Sequence, residues 1–168
     1  AALGLGRGEE LYPLPEPKPL PLLVLAPAIH VSTPEAFRAL GRPALTSPSE
    51  LPKLNTFQSF VWRAYPASDA ENDFEDAVFQ LHPELKGWLG KLERSGAHSA
   101  RLSGSGAALF GVFPNQVKLQ GALPQFRSEP LKVFSTRMLT RAQYRARWSK
   151  SLREHVIENT WPPQSRYD

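Results

Sequence analysis

The sequence predicts an α+β domain, a ferredoxin-like antiparallel sheet with helices on one face, followed by a basic helical tail. Three observations lead there. Short apolar runs of strand length alternate with longer segments whose apolar residues recur every three or four positions, so strands are separated by helices. Two of the runs flank the tight turn Ser103-Gly104-Ser105-Gly106, which makes them a hairpin. After the last strand, Thr140 followed three residues later by Gln143 is a capping-box pair that opens an Arg-rich helix.

The elements follow in order. Pro13, Pro15, Pro17, Pro19 and Pro21 recur at every second position, which favours an extended polyproline-like connection over a central strand or helix. Residues 22–26 are then a short apolar run bounded by prolines, a buried strand. Thr33, with Pro34 and Glu35 behind it, reads as the cap of a helix running to about Leu40. A weaker helix is expected over 49–62 and a loop over 66–69. Asn72 and Asp73 cap or begin the next helix, which presents Phe74, Ala77, Val78 and Leu81 on one face. Pro83 interrupts it and starts another through Leu85, Leu89 and Leu92, stopped by Gly96. Residues 97–102 and 107–113 are the hairpin strands, 116–123 a short helix and 131–134 the last strand. The tail helix carries Tyr144, Trp148, Leu152 and His155 along one side, a stripe expected to be buried, with Arg141, Arg145, Lys150 and Arg153 around the rest.

Composition narrows the function. The 168 residues contain no Cys and one Met, Met138, which excludes a disulfide framework, a thiol nucleophile and a Cys-based metal site and suits a reducing, cytoplasmic setting. The longest apolar stretch, 20–29, is broken by Pro21 and Pro27 and is far short of the roughly 20 residues that span a bilayer. The chain opens on Ala without the basic start of a signal peptide, and is expected to begin partway through a longer gene product. Residues 1–131 hold 12 Lys/Arg against 13 Asp/Glu, net −1, and residues 132–168 hold 8 against 3, net +5, so the formal +4 resides in the tail. A basic tail suits a polyanion, but Arg-rich helix faces are commonly only solvated.

Among residues that could carry chemistry, the glycine turn stands first, because two glycines at this spacing bend the backbone sharply and let its N–H groups approach a phosphate or a neighbouring loop. It is not a Walker loop, since no Gly-Lys-Ser/Thr follows. Asp73 and Glu75 sit where acids favour the dipole of a helix start, which needs no catalysis. His30, His82, His98 and His155 share no metal-ligand spacing, so no metal site is expected. Arg7 and Glu9 make at most a surface pair.

The run Ser95-Gly96-Ala97-His98-Ser99-Ala100-Arg101-Leu102-Ser103-Gly104-Ser105-Gly106-Ala107-Ala108-Leu109-Phe110-Gly111-Val112-Phe113 resembles the third signature of the GHMP kinases: a Gly-Ala turn, a strand, a Ser-Gly-Ser-Gly loop and an apolar strand. Gly4-Leu5-Gly6-Arg7-Gly8-Glu9, Val31-Ser32-Thr33-Pro34-Glu35-Ala36-Phe37 and Asn72-Asp73-Phe74-Glu75 resemble, in order and spacing, segments of the branch that phosphorylates diphosphocytidyl-methylerythritol. The resemblance implies a GHMP kinase C-terminal domain over 22–135, preceded by a remnant of the N-terminal lobe and a Pro-rich connection over 1–21, and followed by a basic helical extension over 136–168. It implies ATP-dependent phosphorylation of the 2-hydroxyl of 4-diphosphocytidyl-2-C-methyl-D-erythritol, with ATP and Mg2+ bound mainly by the N-terminal lobe. No catalytic residue is then expected in this chain, which alone would be inactive. Ser103, Gly104, Ser105 and Gly106 would support the phosphate loop. Thr33 and Phe37 would contact the cytidine end of the substrate, or else be a capping Thr and a core Phe. The alternatives are another GHMP kinase of homoserine or mevalonate type, since the Ser-Gly-Ser-Gly loop is shared, and a non-catalytic ferredoxin-like module binding nucleic acid through its basic tail.

Overall fold

The computed structural model describes residues 2–5, 10–13, 16, 18–41 and 71–156. In chain order the elements are β1 (Ala2–Leu5), β2 (Glu10–Pro13), β3 (Pro21–Pro27), α1 (Thr33–Ala39), α2 (Phe74–Leu81), α3 (Pro83–Arg94), β4 (Ser99–Leu102), β5 (Leu109–Val112), α4 (Gln116–Ala122), a 3-10 turn (Leu123–Phe126), β6 (Leu131–Arg137) and α5 (Arg141–Val156). They fall into two compact units, Leu20–Met138, and Ala1–Pro19 with Leu139–Asp168.

The larger unit is built on one antiparallel sheet in the order β4-β5-β3-β6. Its first strand lies in the interior, between β5 and β6, and α1, α2 and α3 intervene before the β4–β5 hairpin. This is the split βαβ order of the ferredoxin-like fold. Strand alternation sorts the sheet into two faces. Leu23, Leu25, Ala100, Leu102 and Leu109 are buried and share one core with Ala36, Val78, Leu85, Leu89, Leu92, Leu119 and Ala122 from the helices, so the helices cover one face, as expected. Phe113 and Phe126 are the largest fully buried side chains among the described residues, and burying each is worth about 1.5–3 kcal/mol.

The helix signals locate their ends. α3 begins at Pro83 and buries Leu85, Leu89 and Leu92 at one-turn spacing. Gly96, at φ 96°, ends it: its N–H donates to the Glu93 carbonyl at 3.0 Å and that of Ala97 to the Leu92 carbonyl at 3.2 Å, the paired bonds of a Schellman stop. The Asn115 side chain accepts from the Lys118 N–H at 2.9 Å and caps α4. The Glu129 carboxylate joins the loop before β6 to α3, bonded by the Lys91 ammonium and, at 2.9 Å, by the Trp88 indole N–H. Lys91 also stands 5.5 Å from the centroid of the Phe126 ring.

Several expectations need adjustment. The cap of α1 is Ser32, and Thr33 is its first helical residue. Both are good capping types, and the hydroxyl of Thr33 is occupied elsewhere. The strand expected to end at 134 runs on to Arg137, because seven consecutive residues of β6 pair with β3. Helix α4 stops at Ala122, where Pro124 tightens the chain into a 3-10 turn. The expected helix over 49–62 and the loop over 66–69 lie outside the described residues.

In the smaller unit β1 and β2 pair antiparallel, from Ala2 opposite Pro13 to Leu5 opposite Glu10, a hairpin that the proline pattern did not suggest. The capping box of α5 is made as read: the Gln143 N–H donates to Thr140 Oγ1 at 3.1 Å and the Thr140 N–H to Gln143 Oε1 at 3.0 Å. Glu16 Oε1 accepts from the Arg141 N–H at 2.7 Å. Tyr144 and Trp148, expected to be buried, are 58% and 55% exposed.

Candidate functional site

The edge hairpin carries the glycine turn. Its closing pair is Ser103 and Ala108, with the Ser103 N–H donating to the Ala108 carbonyl at 2.8 Å, and inside it the Gly106 N–H donates to the Ser103 carbonyl at 3.0 Å. The N–H groups of Gly104 and Ser105 have no partner among the described residues. Gly104 lies at φ 59° and Gly106 at φ 95°, conformations that residues with a Cβ avoid. The two glycines differ in surroundings: a Cβ on Gly104 would meet nothing within 4 Å, whereas one on Gly106 would lie 3.2 Å from Leu102 Cδ1 and 3.6 Å from Val31 Cγ2 and Val78 Cγ1. The peptide bond between Gly106 and Ala107 is cis.

Two more segments meet this turn. From α1, Thr33 Oγ1 and Ser105 Oγ share a hydrogen bond of 2.8 Å. Phe37 follows four residues later, one turn along the same side of the helix. It is 61% exposed and meets the half-buried Phe74 edge-on, centroids 4.9 Å apart at 87°. The core alternative for Phe37 is thereby removed. From the start of α2, the Asn72 amide donates to the Leu102 carbonyl at 2.9 Å and to the Gly104 carbonyl at 2.8 Å, while its Oδ1 accepts from the Phe74 N–H at 3.0 Å. Glu75 Oε1 accepts from the Leu102 N–H at 2.8 Å.

Thus Thr33 and the turn Ser103-Gly104-Ser105-Gly106, far apart in sequence, meet, with Phe37 one helical turn from Thr33. The part played by Asn72 and Glu75 was not legible beforehand, because capping and dipole arguments concern only their own helix. The local signal for Asn72, an Asn two positions before a helical Phe, is met by its bond to the Phe74 N–H and says nothing of the two longer-range ones. His30, His82 and His98 do not converge, and among the described residues no three His, Cys, Asp or Glu side chains are grouped to hold a metal. Arg7 and Glu9 lie outside the described residues. One cleft of about 550 Å3, lined by Pro21, Gln116, Ser135, Thr136 and Arg137, and another of about 430 Å3 beside Pro27 and Leu131 include none of the residues of the turn. Among the described residues no helix is long and apolar enough to cross a membrane.

A family profile described as GHMP kinases C terminal matches residues 64–130, which contain α2, α3, the glycine turn and α4. Residues 64–130 thus match the C-terminal domain of the GHMP kinases. Over its whole length it is 39% identical to a protein from Solibacter usitatus (strain Ellin6076) named 4-diphosphocytidyl-2-C-methyl-D-erythritol kinase, of which it covers 54%. A protein of the same name from Rhizobium johnstonii is 38% identical over 70% of this chain and 38% of its own length. The chain therefore spans about half the length, or less, of these relatives. Among solved structures, a 4-(cytidine 5'-diphospho)-2C-methyl-D-erythritol kinase superposes with a TM-score of 0.58 at 30% identity, over 79% of this chain and 47% of that one. The homoserine kinase of Cytophaga hutchinsonii and the L. major mevalonate kinase each give 0.59, at 17% and 16% identity, over 83% of this chain and 48% of theirs, and so share the fold. The glycine turn and the start of α2, within the matched residues, and the start of α1 beside them are the site candidate.

Proposed function

We propose that this chain supplies the substrate-side lobe of an ATP-dependent kinase that phosphorylates the 2-hydroxyl of 4-diphosphocytidyl-2-C-methyl-D-erythritol in non-mevalonate isoprenoid synthesis. The observation that carries this reading is the meeting of α1 and the glycine turn through the bond between Thr33 and Ser105, beside the exposed ring of Phe37. A nucleoside diphosphate ester needs both an aromatic face for its base and backbone donors for its phosphates. Here Phe37 offers the face and Thr33 a hydroxyl at the cytidine end, while the turn Ser103-Gly104-Ser105-Gly106 supports the phosphate loop and the transferred phosphate. The 39% identity to the Solibacter usitatus protein over the whole chain supports this substrate over homoserine or mevalonate, for which likeness is confined to the fold.

Phosphoryl transfer is mainly positioning and charge stabilisation. ATP supplies the transferable phosphoryl group, and the residues of this chain orient the acceptor and neutralise part of the phosphate charge. Mg2+ in such a site is held by one or two carboxylates together with the phosphates of the nucleotide. That ion, most of the ATP contacts and the catalytic groups belong in this reading to the N-terminal lobe, the chain's first partner. In the same reading residues 1–21 are a remnant of that lobe and the Pro-rich connection to it, 22–135 the C-terminal lobe proper and 136–168 a basic helical extension, and the enzyme is cytoplasmic.

The test is a fusion of the N-terminal half of the Solibacter usitatus relative ahead of Ala1. The fusion is expected to phosphorylate 4-diphosphocytidyl-2-C-methyl-D-erythritol with ATP, and the chain alone is expected not to. A fusion that folds yet leaves this substrate untouched, or turnover by the chain alone purified free of host kinase, would refute the reading.

A further inference from the structure

We infer that Asn72 is a positioning residue for this reaction, holding the glycine turn in the geometry that aims its free N–H groups. The inference rests on the kinase reading above and assigns a residue to which that reading gives no role. Leu102 ends β4, an edge of the sheet, where backbone groups ordinarily face water. Both of its outward groups are taken at the start of α2: the N–H by Glu75 Oε1 at 2.8 Å and the carbonyl by Nδ2 of Asn72, two residues ahead of the helix, at 2.9 Å. The same Asn72 amide reaches past the strand end to the Gly104 carbonyl at 2.8 Å. One carboxamide therefore fixes two carbonyls on either side of Ser103.

This has a directional consequence. The Gly104 carbonyl and the Ser105 N–H belong to one planar peptide group and point to opposite sides of it. Holding the carbonyl against α2 turns the Ser105 N–H away from the protein body. The Gly106 N–H bond to the Ser103 carbonyl closes the turn around Gly104, at φ 59°, and Asn72 and the bond between Ser105 and Thr33 add the restraint that ties it to the two helix starts. A donor fixed before the charge arrives needs no reorganisation during transfer, which is the ground on which backbone N–H groups stabilise phosphoryl charge. Asn suits the position because it donates two N–H bonds while its oxygen accepts from the Phe74 N–H at 3.0 Å. Asp keeps the acceptor and, when ionised, sets a second oxygen against two carbonyls.

The experiment compares Asn72→Asp and Asn72→Ser with the parent, in this chain by amide NMR and in the fusion by kinetics. In Asn72→Asp at neutral pH the Gly104 and Ser105 amide signals should shift and broaden, those of Leu119 and Ala122 should stay, and the turn should recover as acid protonates the new carboxyl and restores one donor. Asn72→Ser, which keeps an oxygen for the Phe74 N–H without the repulsion, serves where Asn72→Asp fails to fold. In the fusion, kcat should fall at least about tenfold with the KM for the cytidylyl substrate little changed. Unmoved turn signals in a folded variant would reduce Asn72 to a helix cap and overturn the inference. So would an active parent fusion whose Asn72 variants keep its kcat. An inactive parent fusion counts against the kinase reading, and the NMR comparison still decides whether Asn72 holds the turn.

Discussion

The two glycines of the turn look alike in sequence, and the structure predicts that replacing them has different costs. Gly104→Ala asks a Cβ to enter open space at φ 59°, so the expense is the left-handed backbone alone, about 1 kcal/mol. Gly106→Ala sits at φ 95°, further from any basin open to a side chain, a strain of order 1–3 kcal/mol. Its Cβ would also press on Leu102 Cδ1 at 3.2 Å, with Val31 and Val78 close behind. Leu102 and Val78 are core residues that cannot swing aside, and overpacking adds about 1–3 kcal/mol. The difference between the variants should then be about 2 kcal/mol or more. Urea unfolding of the chain, followed by far-ultraviolet circular dichroism, reads it as a gap in midpoint of roughly 1 M for a slope near 2 kcal/mol per M. In the fusion enzyme Gly104→Ala, the milder of the two changes for stability, should still lower turnover about tenfold, about 1.4 kcal/mol of barrier. Equal midpoints for the two variants, or a larger loss for Gly104→Ala, would refute the packing argument.

Two further outcomes follow from the same geometry. Phe37→Ala should cost about 1 kcal/mol of stability, the scale of one edge-on ring contact, where a buried Phe would cost about 3–5, and should raise the KM for the cytidylyl substrate severalfold; melts beside steady-state kinetics check it, and a large melting drop with unchanged KM contradicts it. The bonds from Lys91 and then Trp88 hold the Glu129 carboxyl below its ordinary range. A depressed folded value stabilises the fold above the unfolded pKa, roughly 4.3, and that contribution is lost as pH falls through the folded value. Acidification from about pH 6 to 3 should therefore lower Tm less steeply in Glu129→Gln than in the parent, and parallel curves would discount the Glu129 strut.

Much of the fold was legible because its signals are local. Pro83, the Leu85, Leu89 and Leu92 spacing and Gly96 bound α3 almost to the residue, and Thr140 with Gln143 predicts bonds that are made. The α+β class followed from the hairpin and the helices between strands. What was missed depends on distant partners. Ser32 and Thr33 cap equally well in isolation, and only Ser105, 72 residues away, takes the Thr33 hydroxyl. Phe37 lies on an amphipathic helix and could have been core until the packing left it open. Asn72 reads as a helix starter, which it is, while its bonds to Leu102 and Gly104 span about thirty residues that no periodicity connects. Tyr144 and Trp148 form a stripe at helical spacing, but a stripe only shows which residues share a side.

The pairing of β3 with β6 sets the order in which the larger unit can be completed. Seven residue pairs, from Pro21 opposite Arg137 to Pro27 opposite Leu131, join its first strand to its last, and the Met138 N–H donates to the Leu20 carbonyl at 3.0 Å. During synthesis β3 emerges early and waits with one side unpaired until more than a hundred further residues have left the ribosome. Such long-range closure is slow, and it makes the final strand the step that commits the domain. It also brings the entry and exit of the chain to one point. A unit with adjacent ends can be carried inside a longer polypeptide, or joined to a different partner, without parting its sheet.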